Sequence, residues 1–351
     1  MFDPNAAALP DSGIFGLDDA PENAKVVLLP VPWDATTSYR PGTHNGPEAI
    51  LEASKQVDLF DVETGKPYEA GIALLDELSH IAEKNGVARL DAEQIIEHAG
   101  RIEGDEKLAA ALARVNRASE EVNSIVHETA KKWLDQGKIV GLVGGDHSTP
   151  FGVIRAYAEK YPGLGVLHID AHADLRKAYE GFEWSHASIM ENVSRKIPGV
   201  AKIMQFAIRD FCEEEHDRIV NSEGRIVTHF DVDLAKARRN GTLDELFANA
   251  VRALPDHVYV SFDIDGLEPT LCPHTGTPVP GGISFHEASA LVGAVVAAGK
   301  TIVGFDLNEV APGPDGDEWD ANVGARMLYK LIGWTLLSQE NSGPETDRNK
   351  S

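Results

Sequence analysis

Six side chains able to bind a metal ion stand in three short blocks of this 351-residue chain. They are His147 in GGDHS (144–148), the alternating set Asp170, His172 and Asp174, and the pair Asp263 and Asp265. Each block follows a run of apolar, β-prone residues: IVGLV (139–143), GVLHI (165–169) and HVYVSF (257–262). Alternate residues of an extended segment point the same way, so Asp170, His172 and Asp174 can converge on one spot. Asp263 and Asp265 can do the same from another strand end. Four carboxylates and two imidazoles carry too much charge to be gathered without cations. The inventory suits two divalent ions sharing bridging carboxylates, and hydrolysis is what such a pair supports, because cations acidify water.

The elements that must position these residues are legible as apolar runs. Strands are expected at VVLLPV (26–31), IVGLV, GVLHI, IMQFAI (203–208), RIVTHF (225–230), HVYVSF and TIVGF (301–305). Several are continuously apolar, as strands buried on both faces of a parallel sheet are. Helical spacing appears between them, at Pro47–Lys55, Lys107–Gln136, Phe151–Lys160, Leu243–Ala253, Phe285–Ala298 and Gly324–Leu337. The alternation predicts an α/β fold, a three-layer αβα sandwich with a mostly parallel central sheet. Ligands gather at the carboxyl ends of such strands. All three blocks sit at such ends, and so does the stretch Asp306 to Glu309. One domain is expected over 25–338, with residues 1–24 as an N-terminal extension packing on a neighbour. Residues 339–351 (QENSGPETDRNKS) read as a disordered tail by composition. The polar segment 61–106 offers one helix, at Asp91–Arg101.

Charge and cysteine content exclude several classes of function. With 56 acidic against 32 basic residues the net charge is −24, which repels nucleic acid and anionic membrane and favours a small cationic partner. Only Cys212 and Cys272 are present, so neither a disulfide framework nor a thiolate metal site is expected. No signal peptide is read in residues 1–24, and the apolar stretch LVGAVVAAG (291–299) is too short to span a membrane. A cytoplasmic location is the expectation.

In order along the chain, the motifs TSYRPGT (37–43), GPEAI (46–50), GGDHS (144–148), HIDAHADLR (168–176), SHAS (185–188), SFDIDGLEP (261–269), GTPVPGG (276–282) and GFDLNEVAP (304–312) resemble the ureohydrolases, the arginase and agmatinase family. One DxHxD string would be weak evidence, since phosphatases and deacetylases carry similar ones; the ordered set is specific. The resemblance covers roughly residues 25–335 and implies an arginase-like fold. It implies that one ion takes His147, Asp170, Asp174 and Asp263, and the other His172, Asp170, Asp263 and Asp265. It also implies that His186 transfers the proton to the departing amine and that Glu309 pairs with the substrate guanidinium. Oxygen and imidazole ligands without thiolate favour Mn²⁺ over Zn²⁺, with Ni²⁺ open. An unperturbed imidazole near pH 6.5 suits a shuttle. The family is commonly trimeric or hexameric, so a homotrimer or homohexamer is expected.

The other notable residues have blander expected roles. Asp146 is expected to make structural hydrogen bonds, Asp306 to orient a ligand or loop, and His168 to sit in the core or behind the ligands. Cys272 is placed near the mouth of the site as a small packing residue. Trp184 and Trp319 are either pocket walls or packing, and Glu213–Glu215 is a solvated helix start.

The substrate tail is the open question. Arginases recognise an α-amino acid end with an Asn two residues after the second Asp of DxHxD; here Arg176 stands there. Their acidic residue two places beyond the Asp of the ArgAsp pair is Cys212 here. Both departures point from arginine to agmatine, hydrolysed to urea and putrescine. Arg176 in the pocket would instead favour guanidinobutyrate, guanidinopropionate or guanidine itself, unless it turns to an acid such as Glu180 or Glu183. A deacetylase would need one zinc with one His and two Asp, and a metallophosphatase a GlyAsnHis block, neither of which fits. A non-catalytic, metal-binding regulatory paralogue is the non-enzyme alternative, although no ligand has been lost.

Overall fold

Continuous apolar runs need cover on both faces, and the chain supplies it. The computed structural model describes residues 3–76 and 78–341. Its strands are β1 (Val26–Val31), β2 (Ile72–Leu74), β3 (Ile139–Gly144), β4 (Leu164–Ile169), β5 (Val200–Ile208), β6 (Ile226–Phe230), β7 (His257–Asp263) and β8 (Thr301–Asn308). They form one sheet in the order β2-β1-β3-β8-β7-β4-β5-β6, every pairing parallel. Successive residues of β1 enter opposite core layers. Val26 and Leu28 join the layer under helices Gly46–Ser54, Leu243–Val251, Phe285–Ala297 and Trp319–Asn341. Val27, Leu29 and Val31 join the layer under helices His80–Ile96, Glu106–Asp135, Phe151–Lys160 and Ile189–Lys196. Two helical layers on one parallel sheet are the expected three-layer architecture.

The differences from the sequence reading are local. β2 has only three residues and was not expected. The helix placed at Asp91–Arg101 runs instead over His80–Ile96, and the last helix covers Trp319–Asn341. Two helices have no counterpart in the sequence reading, Ile189–Lys196 and Asp231–Asn240, and the helix start read at Glu213–Glu215 extends to Val220. All three are only eight to ten residues long, too short for a helical period to stand out from the sequence alone. Part of the expected N-terminal extension packs on its own domain. Ile14, Phe15 and Leu17 are buried in the core, the Phe15 N–H donates to Ser54 Oγ (2.8 Å), and the Ile72 N–H donates to the Asp19 carboxylate (3.0 Å). Of the tail, residues 339–341 complete the last helix, and 342–351 lie outside the described residues. Among the described residues no helix is long and apolar enough to cross a membrane.

Candidate metal centre and pocket

β3, β8, β7 and β4 are adjacent at the middle of the sheet, and their carboxyl ends carry all six expected ligands and Glu309. His147 follows β3. Asp170, His172 and Asp174 follow β4. Asp263 ends β7, Asp265 lies in the 3₁₀ turn Ile264–Gly266, and Glu309 follows β8. His147 Nδ1 lies 2.9 Å from Asp170 Oδ2, 3.2 Å from Asp263 Oδ2 and 3.4 Å from Asp174 Oδ2. His172 Nδ1 lies 3.1 Å from Asp265 Oδ2 and 3.4 Å from Asp170 Oδ1. Asp170 therefore turns one oxygen to each group, as a carboxylate shared between two cations would.

Donor atoms of His147, His168, Asp170 and Asp174 lie within 4.8 Å of one another, and so do those of Asp170, His172 and Asp265. His168 belongs to the first set by distance, but both its ring nitrogens are engaged. Gln205 Nε2 donates to its Nδ1 (3.0 Å), leaving Nε2–H to donate to Asp170 Oδ2 (2.8 Å). His168 thus braces Asp170 from behind. His147 is held likewise: its Nε2 meets Ser261 Oγ (2.9 Å), which donates to Asp306 Oδ1 (3.0 Å). This is the orienting place expected for Asp306. Sequence gave no signal for Ser261 or Gln205, because each acts through a partner on another strand.

Electrostatics show what the cluster lacks. Burial, with the charge of Asp170 beside it, pushes Asp174 up to about 7. Burial, with Asp265 and Asp170, pushes Asp263 well above the usual carboxylate range. Burial opposes charge on His147 and His172, yet their aspartate neighbours hold both well above the ordinary imidazole value. Two protonated histidines offset only part of the charge of four buried acids, whereas divalent cations on this oxygen and imidazole donor set would offset it all; the residues fit such ions. Cations compete with those protons, so manganese uptake is expected to strengthen as pH rises through 7 and to weaken below it. Equal affinity at pH 6 and pH 8 in a metal titration would count against the cluster as a metal centre.

Glu309 is set differently. Its Oε1 accepts the His147 N–H (2.9 Å) and lies 3.2 Å from His186 Nδ1, whereas its buried Oε2 has no partner. The carbonyls of Tyr39 and Arg40 and Glu309 Oε2 line the space beside Gly276, where an added Cβ would stand 3.4 Å from that oxygen. Glu309 (φ 64°) and Asp174 (φ 54°) both hold left-handed backbone, a conformation that costs energy in a residue other than glycine. Burial works against a charged His186, but its hydrogen bond to Glu309 and the charges of Glu309, Asp146 and Asp174 outweigh it and raise it to about 9. The ring thus lies above the unperturbed value near 6.5 and holds its proton at neutral pH in the metal-free protein. Asp146 accepts from the Ser148 N–H (2.9 Å) and from Thr37 Oγ1 (3.3 Å), the structural role expected of it.

The cluster opens into a cavity of about 180 Å³, room for a small linear ligand rather than a drug-sized one. Beyond the ligands, Ser38, Arg176, Tyr179, Asp210, Glu215 and Thr277 line it. Arg176 does turn to an acid, but to Glu215 (3.6 Å) rather than Glu180 or Glu183, and its guanidinium lies over the Tyr179 ring (5.2 Å). Glu215 is accordingly buried, not solvated, accepting from the Leu175 and Cys212 N–H groups (3.0 and 2.9 Å). Neither tryptophan walls this cavity. Trp184 packs edge-on against Phe151 beneath Lys196, and Trp319 is half exposed with its Nε1–H donating to the Thr270 carbonyl (3.0 Å). Cys272 lies fully buried under the ligand turn, its thiol donating to the Ile264 carbonyl (3.2 Å), and burial holds its pKa up.

The arginase family profile matches residues 24–333. The N(1)-aminopropylagmatine ureohydrolase of Thermus thermophilus is 33% identical over 323 residues, covering 91% of this chain and 94% of that one. The agmatinase of Bacillus anthracis is 32% identical over 314 residues, covering 89% and 93%. In structure, the agmatine ureohydrolase of Thermoplasma volcanium superposes with a TM-score of 0.70 at 24% identity, over 92% of this chain and 93% of that one. The arginase of Bacillus caldovelox superposes with a TM-score of 0.62 at 21% identity, over 88% and 98%. These two likenesses concern the fold.

Proposed function

Because the chain belongs to the arginase family of ureohydrolases, we propose that it hydrolyses a linear guanidino compound, agmatine first, to urea and an amine. In this reading His147, Asp170, Asp174 and Asp263 hold one divalent ion and His172, Asp170, Asp263 and Asp265 a second. Mn²⁺ suits the hard donors and Ni²⁺ is the alternative. When bound, the ions supply a water acidic enough to attack the guanidinium carbon and a counter-charge for the transition state. The observation that carries the reading is the unpartnered, buried Glu309 Oε2 beside His186. A carboxylate oxygen with nothing to accept is placed to take a guanidinium N–H, fixing the carbon's orientation. Oε1 keeps the protonated His186 close by. As the bond from carbon to the tail nitrogen breaks, His186 gives that nitrogen its proton, and the amine leaves as a neutral base.

A cationic tail is supported by the names of the relatives and by Asp210 and Glu215 in the cavity wall, where Glu215 offsets the charge of Arg176. A carboxylate tail, as in guanidinobutyrate, is favoured by one observation. Among the described residues Arg176 makes only that 3.6 Å ion contact and no side-chain hydrogen bond, which leaves a planar fork for an anion. The low cysteine content supports a cytoplasmic enzyme, and the family a homotrimer or homohexamer. The test is urea release from agmatine, N(1)-aminopropylagmatine, arginine, guanidinobutyrate, guanidinopropionate and guanidine, each with Mn²⁺ and Ni²⁺. Agmatine with Mn²⁺ is expected to give the highest kcat/KM. Preference for guanidinobutyrate would select the Arg176 reading, and no urea from any compound with either metal would contradict the hydrolase itself.

A further inference from the structure

Arg209 is the first residue beyond β5, next to the strand that carries Asp170. The N–H groups of Arg209 and Asp210 both donate to the Ala171 carbonyl (2.8 and 3.0 Å). Its guanidinium reaches further. Nη2 donates to the carbonyls of Asp265 (2.6 Å), Leu267 (3.1 Å) and Val279 (3.0 Å), Nε to Val279 (3.2 Å), and Nη1 to Ala207 (3.0 Å). Among the described residues all its side-chain hydrogen bonds go to backbone carbonyls and it forms no ion pair. Those carbonyls need a donor. β7 ends at Asp263, so the Asp265 and Leu267 carbonyls lie past the sheet ladder, and buried carbonyls must be partnered from elsewhere. Val279 belongs to the loop that brings Thr277 Oγ1 to Asp265 Oδ2 (3.3 Å). The same loop crosses so close to the ligand turn that a Cβ on Gly282 (φ 98°) would stand 2.6 Å from the Leu267 carbonyl oxygen.

We infer that Arg209 is a positioning residue for the half of the centre built on His172 and Asp265. Its guanidinium ties the end of β5, the turn carrying Asp265 and the loop carrying Thr277 into one unit. Its reach is one-sided. His147 is held by Ser261 and by Glu309, and the Asp174 carbonyl accepts the Glu191 N–H (3.0 Å), none of which involves Arg209. A guanidinium spans such diverging acceptors because its donors spread in a rigid plane; a lysine ammonium offers three donors at one point.

The inference rests on the proposed two-ion centre. Arg209→Ala and Arg209→Lys, stripped of metal, are titrated with Mn²⁺ beside the wild-type chain and Asp265→Asn, and bound ions are counted per chain. One equivalent is expected to bind as in wild type. The other should weaken by about tenfold to a hundredfold, the usual effect of removing support behind a ligand, with Arg209→Lys in between. A folded Arg209→Ala chain that binds both equivalents with wild-type affinity, or loses affinity equally at both, overturns the inference. If Arg209→Ala does not fold, Arg209→Lys is read by the same criteria. Wild-type protein that binds fewer than two equivalents overturns the two-ion reading and this inference with it, whereas the earlier failures leave that reading standing.

Discussion

Asp263→Ala is expected to reduce urea release at neutral pH by at least about a thousandfold, because water is a poor nucleophile without cations to acidify it. Asp263 faces His147 through Oδ2, and its Oδ1 accepts the Asp265 N–H (2.9 Å) that shapes the ligand turn. Its loss removes a proposed shared ligand and loosens a second. Misfolding would give the same kinetic result, but a stability measurement separates the two. Burial and neighbouring acids already hold the Asp263 carboxyl well above its usual range, so folding without metal forces it to keep a proton it would lose when unfolded, which costs stability at neutral pH. Metal-free Asp263→Ala should therefore unfold at the temperature of metal-free wild type or higher, while the stabilisation wild type gains from added manganese should largely disappear. Normal turnover, or a cooperative gain in melting temperature with manganese equal to wild type, would remove Asp263 from the centre.

His186→Ala is the second large effect. Losing a positioned general acid costs about 10²–10⁴ in rate. Both ions should stay, since His186 touches Glu309 rather than the expected ligands. The loss should fall on kcat, and added imidazole should restore part of it by re-entering the space beside Glu309. Glu309 Oε1 would keep the His147 N–H, so the variant should retain the local backbone. A variant with wild-type kcat, or one that loses a metal equivalent, would rule out the proton-donor role.

The sequence showed the centre more clearly than the walls around it. The alternation of Asp170, His172 and Asp174 after a continuous apolar run announced both the strand end and the convergence, because a strand's period of two is rigid. The three-layer sheet was legible for the same reason: runs such as VVLLPV make sense only when both faces are covered. What escaped depends on long-range pairing. His168 braces Asp170 only because Gln205 sits on the neighbouring strand, and Arg209 meets Asp265 across 56 positions of sequence. Arg176 lines the cavity and also turns to an acid, so neither of the two alternatives left open excludes the other, and the partner is Glu215, brought near by a helix of only eight residues. The raised proton affinity of His186 was invisible because it comes from Glu309, 123 residues away.

Crystals grown with manganese and measured at its absorption edge test the paired-cation centre most directly. Two anomalous peaks are expected, one among His147, Asp170, Asp174 and Asp263 and one among His172, Asp170, Asp263 and Asp265. A single peak would contradict the shared roles of Asp170 and Asp263, and no peak, with the carboxylates turned apart, would contradict the centre altogether.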